Sequence, residues 1–372
     1  MVYLDNSATT KIYTEAYEEM LPYLLAEYGN PSSKYYEKAN NSKVAIELSR
    51  ERVSKLLGCS IEEVIFTSGS TESNNMIIKG VADFYHHKGK HIITSAAEHP
   101  SVLETCEFLV EKGFDVTFLP TDCFGRIDPV QLEREITAET ILVSLMWGNN
   151  ELGSLNDMNA ISEVCKKRNV FLHTDATQVI GKLEVDLEDY PGITFLSCSA
   201  HKFHGPKGVG CAYLKQDQYG ILTPITPLFH GGGQEGNIRS GTLAVHNIVG
   251  MGKAASITND NLQYAIKSLG ENEIYLHDLL QTKFGESISF NSDVKDKIPG
   301  ILNVQFKGVN NELLLKQLAP YVSASTGSAC SASKPSHVLA AAGYTIDEIR
   351  SSIRFSLSSL TTQKELDVFK EL

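Results

Sequence analysis

The stretch Ile193-Thr194-Phe195-Leu196-Ser197-Cys198 runs directly into Ser199-Ala200-His201-Lys202-Phe203-His204-Gly205-Pro206-Lys207-Gly208. The first part is a short apolar run of strand type. The second is a loop of small and polar residues carrying a lysine. An apolar strand that ends in such a loop belongs to a mostly parallel sheet covered on both faces, where ligand sites gather at the carboxyl ends of the strands.

Outward from this stretch, the same alternation fills the chain from about residue 62 to 214. Val64-Ile65-Phe66, His91 to Thr94, Val116 to Leu119, Ile141 to Leu145, Val170-Phe171-Leu172 and Val209 to Leu214 are predicted strands. Between them, Thr67-Ser68-Gly69 leads into a predicted helix towards Tyr85, and Val102 to Glu111 forms another. Met158, Ile161, Val164 and Cys165 recur at the spacing of an amphipathic helix. Strands alternating with helices predict an α/β fold with a mostly parallel sheet. A long helical region from about Leu243 to Leu280 follows, and then an α+β segment from about Ile301, which reads as a second, smaller domain. No repeat or low-complexity linker is present.

Thirty-three basic against 45 acidic residues leave a formal charge of −12 over 372 residues. Nucleic-acid and membrane surfaces need a positive field, so neither is an expected direct partner. No apolar run approaches the roughly 20 residues of a spanning helix, and the first residues lack the pattern of a secretory leader. The seven cysteines are odd in number and scattered without C-x-x-C spacing, so neither a disulfide framework nor a metal site is expected. A reducing cytoplasm is the expected compartment.

Lys202 follows one strand and Asp175, in His173-Thr174-Asp175-Ala176-Thr177-Gln178, ends the strand before it. A lysine at the rim of a buried site can form a Schiff base with an aldehyde. Pyridoxal 5′-phosphate (PLP) enzymes need that lysine, and an acid that keeps the pyridine nitrogen protonated. One lysine alone reads as a solvated loop cation; the pair on one sheet reads as a cofactor site. Thr67-Ser68-Gly69-Ser70-Thr71-Glu72-Ser73 offers small hydroxyl residues where a strand turns into a helix, which suits a phosphate. It suits an ordinary helix cap equally well.

The chain resembles the NifS/IscS-type cysteine desulfurases, which share the fold-type-I PLP architecture of the class V aminotransferases. The resemblance runs nearly end to end. It covers Tyr3 to Thr10, Gly29-Asn30-Pro31, Phe66 to Asn74, Glu98-His99-Pro100, Asn149 to Gly153, Asp175 to Gln178 and the Lys202 stretch. It continues through His230 to Glu235, Arg239 to Thr242, Gly327 to Cys330 and Ser352 to Ser356.

The resemblance implies a large PLP-binding domain over 13–255 with a mostly parallel seven-stranded sheet. A smaller α+β domain would comprise 1–12 and 256–372 and carry a cysteine loop at about 323–336. Lys202 would hold the cofactor, Asp175 would pair with the pyridinium nitrogen, His99 would stack on the ring and serve as a proton carrier, and Gln178 would bond the phenolic oxygen. Ser70, Thr71, Ser199 and His201 would hold the phosphate, and Thr242 would reach it across the interface of a homodimer. Asn150 and Arg354 would bind the substrate carboxylate, Arg354 through a fork that lysine cannot reproduce. His99 and Arg354 also have blander readings, as a helix-entry residue and a structural ion pair. His173 and His204 are expected to be structural.

Cys330 would accept sulfur from L-cysteine as a persulfide, releasing L-alanine and passing the sulfur to an acceptor protein. Its surroundings, Ser323 to Ser336, are almost all small or polar, so an exposed, mobile loop is expected there. The other six cysteines sit largely in apolar runs and are expected to be inert core thiols. Selenocysteine lysis, transamination and a non-catalytic sulfur carrier are the rival readings. Iron–sulfur assembly, tRNA thiolation and DNA phosphorothioation are all open as destinations. Thr326, Asn237 and Trp147-Gly148 depart from the usual pattern, as does a short segment between Cys330 and Pro335.

Overall fold

The computed structural model describes residues 1–327 and 335–371. Strand β1 (Val2–Tyr3) pairs in parallel with Val322–Ser323, joining the amino terminus to the far end of the chain. Helices α1 (Thr14–Leu25) and α2 (Glu37–Leu57) follow.

The central sheet contains β2 (Val64–Thr67), β3 (His91–Ser95), β4 (Asp115–Leu119), β5 (Thr140–Ser144), β6 (Phe171–Asp175), β7 (Ile193–Ser199) and β8 (Gly210–Leu214). Their spatial order is β2-β8-β7-β6-β5-β3-β4. All seven strands expected from the sequence are present, and neighbours from β4 to β7 run parallel. The exception is β8, which runs antiparallel to both β7 and β2. A parallel crossover needs a dozen or more residues, usually with a helix. The loop from Ala200 to Val209 is too short for one and holds only a single 3-10 turn at Ala200–Lys202, so it turns the chain straight back.

Successive strand residues enter opposite cores, as the two-residue period requires. Ile92, Leu142 and Phe195 pack with Met76, Val81 and Val102 from α3 (Ser70–Tyr85) and α4 (Pro100–Glu111). Their neighbours Ile93, Val143 and Leu196 pack on the other face with Ile46 and Val53 of α2. Helices α5 (Pro129–Glu135), α6 (Met158–Arg168) and α7 (Val245–Asp260) follow in the chain. Ile161 and Met251, from α6 and α7, join the same core as α2. Burial on both faces is why these strands carry no polar alternation.

The long helix expected after Leu243 is two helices. Asn261 separates α7 from α8 (Leu262–Phe284), and its side-chain amide donates to Ile257 O at 2.8 Å. Asparagine offers the backbone a local alternative to the helix ladder. Strands β9 (Ile288–Phe290), β10 (Ile301–Phe306) and the strand Ser352–Ser356 form a small antiparallel sheet with β10 in the middle. Its apolar cluster joins Leu4 near the amino terminus with Leu276, Val304 and Phe355.

Candidate active site

Strands β2, β6 and β7 point the same way, so their carboxyl ends open onto one edge of the sheet. A cavity of about 560 Å³ lies there. Lys202, Asp175, His99, Gln178, Ser70, Thr71, Ser199, His201, Asn150 and Arg354 all line it. Ten residues spread over 285 positions of sequence are thus gathered around one space. Thr242 is exposed and is not among the residues lining this cavity. Cys330 lies outside the described residues.

At the mouth of β2 the backbone is drawn tight. Gly69 has φ of 150°, a conformation that side chains disfavour. A Cβ on Gly210 would stand 2.7 Å from the Gly69 Cα. This close approach brings the start of α3 against the end of β7. The Ser70 amide donates to Ser199 Oγ at 2.7 Å, and Ser199 Oγ lies 3.0 Å from Ser70 Oγ. The site is therefore more than a helix cap: a second strand contributes a hydroxyl to it. His201, beside these serines, has its pKa lowered to about 4 by burial, with Lys202 and Lys207 adding to the effect.

Asp175 is buried at the end of β6, with both oxygens engaged. Oδ1 accepts from the Thr177 amide at 3.0 Å and Oδ2 from Asn74 Nδ2 at 2.8 Å. The same Asn74 nitrogen donates to Ser101 Oγ at 2.8 Å, and Ser101 Oγ lies 2.8 Å from His99 Nδ1. His99 Nδ1 also accepts from the Ser101 amide, capping α4. Burial lowers the His99 pKa, with Lys202 and His337 acting the same way and Asp175 against them. The imidazole is therefore neutral, and its network assigns the proton to Nε2. His99 is thus a helix cap that also lines the cavity.

Lys202 Nζ donates to the carbonyls of Ser7 (2.6 Å) and Ala8 (2.8 Å), so the amino-terminal segment forms part of the wall. Gln178 Nε2 donates to the same Ser7 carbonyl, at 2.9 Å.

Arg354 is about 1 % exposed. Nη2 donates to Asp5 Oδ1 at 2.7 Å, and Nη1 donates to the carbonyls of Asn150 and Gly327. Its Nε is buried with no partner among the described residues. A buried, unmatched guanidinium N–H is costly. Ser7 Oγ and Thr177 Oγ1 are unpartnered as well, and they also line the cavity.

His173 is held between Ser144 and Ser197, with its pKa pushed down to about 4 by burial, and His204 stacks on Tyr13. Both have structural settings. Of the cysteines, Cys106, Cys165, Cys198 and Cys211 are buried and Cys59 half-buried, but Cys123 is exposed. The core-thiol expectation fails there because Cys123 sits in the turn Asp122-Cys123-Phe124-Gly125, past the end of the apolar run of β4.

Asn74 was invisible as a site residue, although it is a polar residue just before the apolar run Met76-Ile77-Ile78. Glu151 is likewise new. Its carboxylate receives Ser336 Oγ at 2.5 Å and packs where a Cβ on Gly327 would have to be. No cluster of metal ligands occurs among the described residues, and no helix among them is long and apolar enough to cross a membrane.

The aminotransferase class-V family profile matches residues 2–369. A protein named cysteine desulfurase IscS, from Dictyoglomus turgidum, is 42% identical over 369 residues, spanning 98% of this chain and 92% of that protein. A solved NifS-like protein superposes with a TM-score of 0.91 at 36% identity, covering 100% of this chain and 97% of the other. A structure described as SspA in complex with cysteine has a TM-score of 0.85 at 34% identity, covering 97% of this chain and all of that one.

Proposed function

This chain belongs to the aminotransferase class-V family, and on that premise we propose that it is a PLP-dependent cysteine desulfurase. It would convert L-cysteine to L-alanine and leave the sulfur as a persulfide on Cys330 for an acceptor protein. The observation that carries this reading is the single cavity lined by Lys202, Asp175, His99 and Arg354. The relative named cysteine desulfurase and the similar structure holding cysteine support the substrate.

The residues present fit the cofactor. Three of the seven buried polar atoms without partners among the described residues belong to Ser7, Thr177 and Arg354, all on this cavity. Such atoms are expected where a polar ligand belongs. Ser70, Thr71, Ser199 and His201 would hold its phosphate, Asp175 its ring nitrogen, Gln178 its phenolic oxygen and His99 its ring face. Lys202 would attach it. When bound, PLP supplies an electron sink for charge developing at the substrate Cα.

The chain's own groups do the rest. Arg354 has its Nε and a second Nη2 proton left over, a pair of donors that matches a carboxylate. Asn150 lies beside it. These contacts would turn the substrate so that its Cα proton faces the Lys202 amine, which removes it. Neutral His99, with its proton on Nε2 and Nδ1 held by Ser101, can donate a hydrogen bond to the substrate sulfur as charge develops there. The Cys330 thiolate attacks that sulfur; the Cβ–S bond breaks, and its electron pair returns to the carbon side, which ends as alanine after protonation.

We further propose the division into 13–255 and 1–12 with 256–372, supported by the pairing of β1 with Val322–Ser323. A homodimer in which Thr242 completes the partner's site follows from the family, and Thr242 is exposed as this requires. A reducing cytoplasm is the proposed compartment.

The test uses protein loaded with PLP and given L-cysteine. Without reductant, alanine and a sulfur adduct on the Cys330 peptide are expected; with an added dithiol to reduce that persulfide, equal amounts of alanine and sulfide should form, and no keto acid in either case. Cys330→Ser should keep the bound-cofactor spectrum and lose the adduct and turnover. Keto acid as the main product, or full turnover by Cys330→Ser, would overturn the proposal.

A further inference from the structure

We propose that Lys182 is a positioning residue for the cofactor site, acting through Gln178 to decide which end of that amide faces the cavity. The inference rests on the PLP reading above.

Lys182 is buried, and its Nζ donates to Gln178 Oε1 at 2.8 Å. Among the described residues it has no carboxylate partner. It does not line the main cavity but faces a second one, of about 360 Å³, which Lys202 also lines. It therefore stands behind Gln178, on the side away from the substrate.

A glutamine amide has two donors at one end and an acceptor at the other. Here the acceptor end meets an ammonium, and the donor end meets the Ser7 carbonyl at 2.9 Å. Flipping the amide would set N–H against ammonium and oxygen against carbonyl. Both contacts would be repulsive, so one orientation is enforced while Lys182 carries its charge. With one Nε2 proton on Ser7, the other is left to the cavity that Gln178 lines. An oxygen that carries negative charge, such as the cofactor's phenolic oxygen, would be met there by a donor.

The same Ser7 carbonyl accepts from Lys202 Nζ at 2.6 Å. The two lysines are thus the ends of one hydrogen-bonded chain: Lys182, Gln178, the Ser7 carbonyl, Lys202. Two cations in such proximity disfavour further protons nearby. Burial, aided by Lys202 and Arg354, pushes the Lys182 pKa down to about 7, and Lys182 in turn adds to the burial that lowers the His204 pKa. Burying such a cation without a carboxylate is costly, and an anionic cofactor would offset that cost.

The test compares wild type, Lys182→Met, Lys182→Arg, Gln178→Ala and the double variant of Lys182→Met with Gln178→Ala, all loaded with PLP. The readouts are the pH midpoint of the bound cofactor's colour change and its retention on dialysis. Lys182→Met removes a cation and frees the amide to flip, both of which favour a proton on the cofactor. The midpoint should rise by about one pH unit, a tenfold change in proton affinity, and retention should weaken about tenfold. Lys182→Arg should stay close to wild type. In the Gln178→Ala background, Lys182→Met should add less than it does with Gln178 in place, since only the loss of charge remains. Lys182→Gln gives the same reading if Lys182→Met does not fold, since it removes the charge but keeps a donor. An unmoved midpoint in the uncharged variants, or fully additive effects of the two sites, would overturn the role of Lys182. A wild type that takes up no PLP would instead overturn the function on which it rests.

Discussion

Asn74 Nδ2 lies 2.8 Å from Asp175 Oδ2, so the carboxylate at the end of β6 is held by a helix from another part of the chain. The same amide reaches Ser101, whose hydroxyl meets His99. One side chain thereby orients both the acid and the imidazole of the cavity. Its Oδ1 has no partner among the described residues, which leaves the donor end as the reason for its placement.

Asn74→Ala should therefore weaken two roles together. Losing a hydrogen bond to a buried carboxylate costs about 1–3 kcal/mol, which predicts a fall in turnover of about tenfold or more. Asn74→Asp should be worse, because it faces Asp175 with a like charge. Steady-state kinetics with cofactor-saturated protein check both variants, and wild-type turnover by Asn74→Asp would contradict the arrangement.

Arg354→Lys tests the fork. Lysine keeps the charge but cannot serve Asp5, Asn150, Gly327 and a carboxylate at once. A loss of about a hundredfold in kcat/KM for cysteine is expected, with weaker binding of alanine measured by spectral titration. Normal alanine affinity would argue that the carboxylate binds elsewhere.

Ser336→Ala addresses the flanks of the segment carrying Cys330. Ser336 caps the helix His337–Ala341 through the Leu339 amide and donates to buried Glu151, whose carboxylate also packs on Gly327. Both described ends of that segment thus meet at one carboxylate. Losing a cap costs about 1 kcal/mol. The persulfide should form more slowly on Cys330 while the affinity for alanine stays unchanged. Rapid-quench analysis of the Cys330 peptide reads this directly, and an unaltered rate would show that Glu151 does not locate the segment.

Glu98 carries a pH prediction. Burial raises its carboxyl pKa from 4.5 to about 8, against the opposing bonds from the Met146 amide and Ser95. Between those two values the unfolded chain has lost the proton that the native protein keeps. Native stability from this group should then fall as pH rises from about 4.5 to 8, by up to about 1.4 kcal/mol per pH unit, and level off above that. Glu98→Gln mimics the neutral acid and should flatten this part of the profile. Denaturant midpoints at several pH values in this range, wild type against variant, give the comparison; parallel profiles would mean that Glu98 is ionised in the native protein.

Much of this was legible in the sequence, for physical reasons. Strand pairs such as Ile92 with Ile93 and Leu142 with Val143 announce two buried faces, and Asp175 and Lys202 follow strands whose carboxyl ends must share an edge. The reversal of β8 was less visible, because an apolar run has the same composition in either direction. Asn74, Lys182 and Glu151 were missed for a different reason. Each acts on another side chain, and sequence spacing does not show which long-range neighbour a turn or helix will meet. The exposure of Cys123 depends on a turn, where a single cysteine gives no periodic signal.

The pairing of β1 with Val322–Ser323 has a consequence for how the protein comes into being. A nascent chain emerges amino end first, and its domains fold in that order. The sheet from Val64 to Leu214 can assemble early, but Val2 and Tyr3 must wait for residues made more than 300 positions later. Asp5 waits longer still, for Arg354 and Ser356. Ser7 and Ala8, whose carbonyls receive Lys202, lie between these late anchors and the early sheet. The reactive lysine therefore gains its final setting only after Ser356 has been made, which delays the working pocket long past the sheet that carries it.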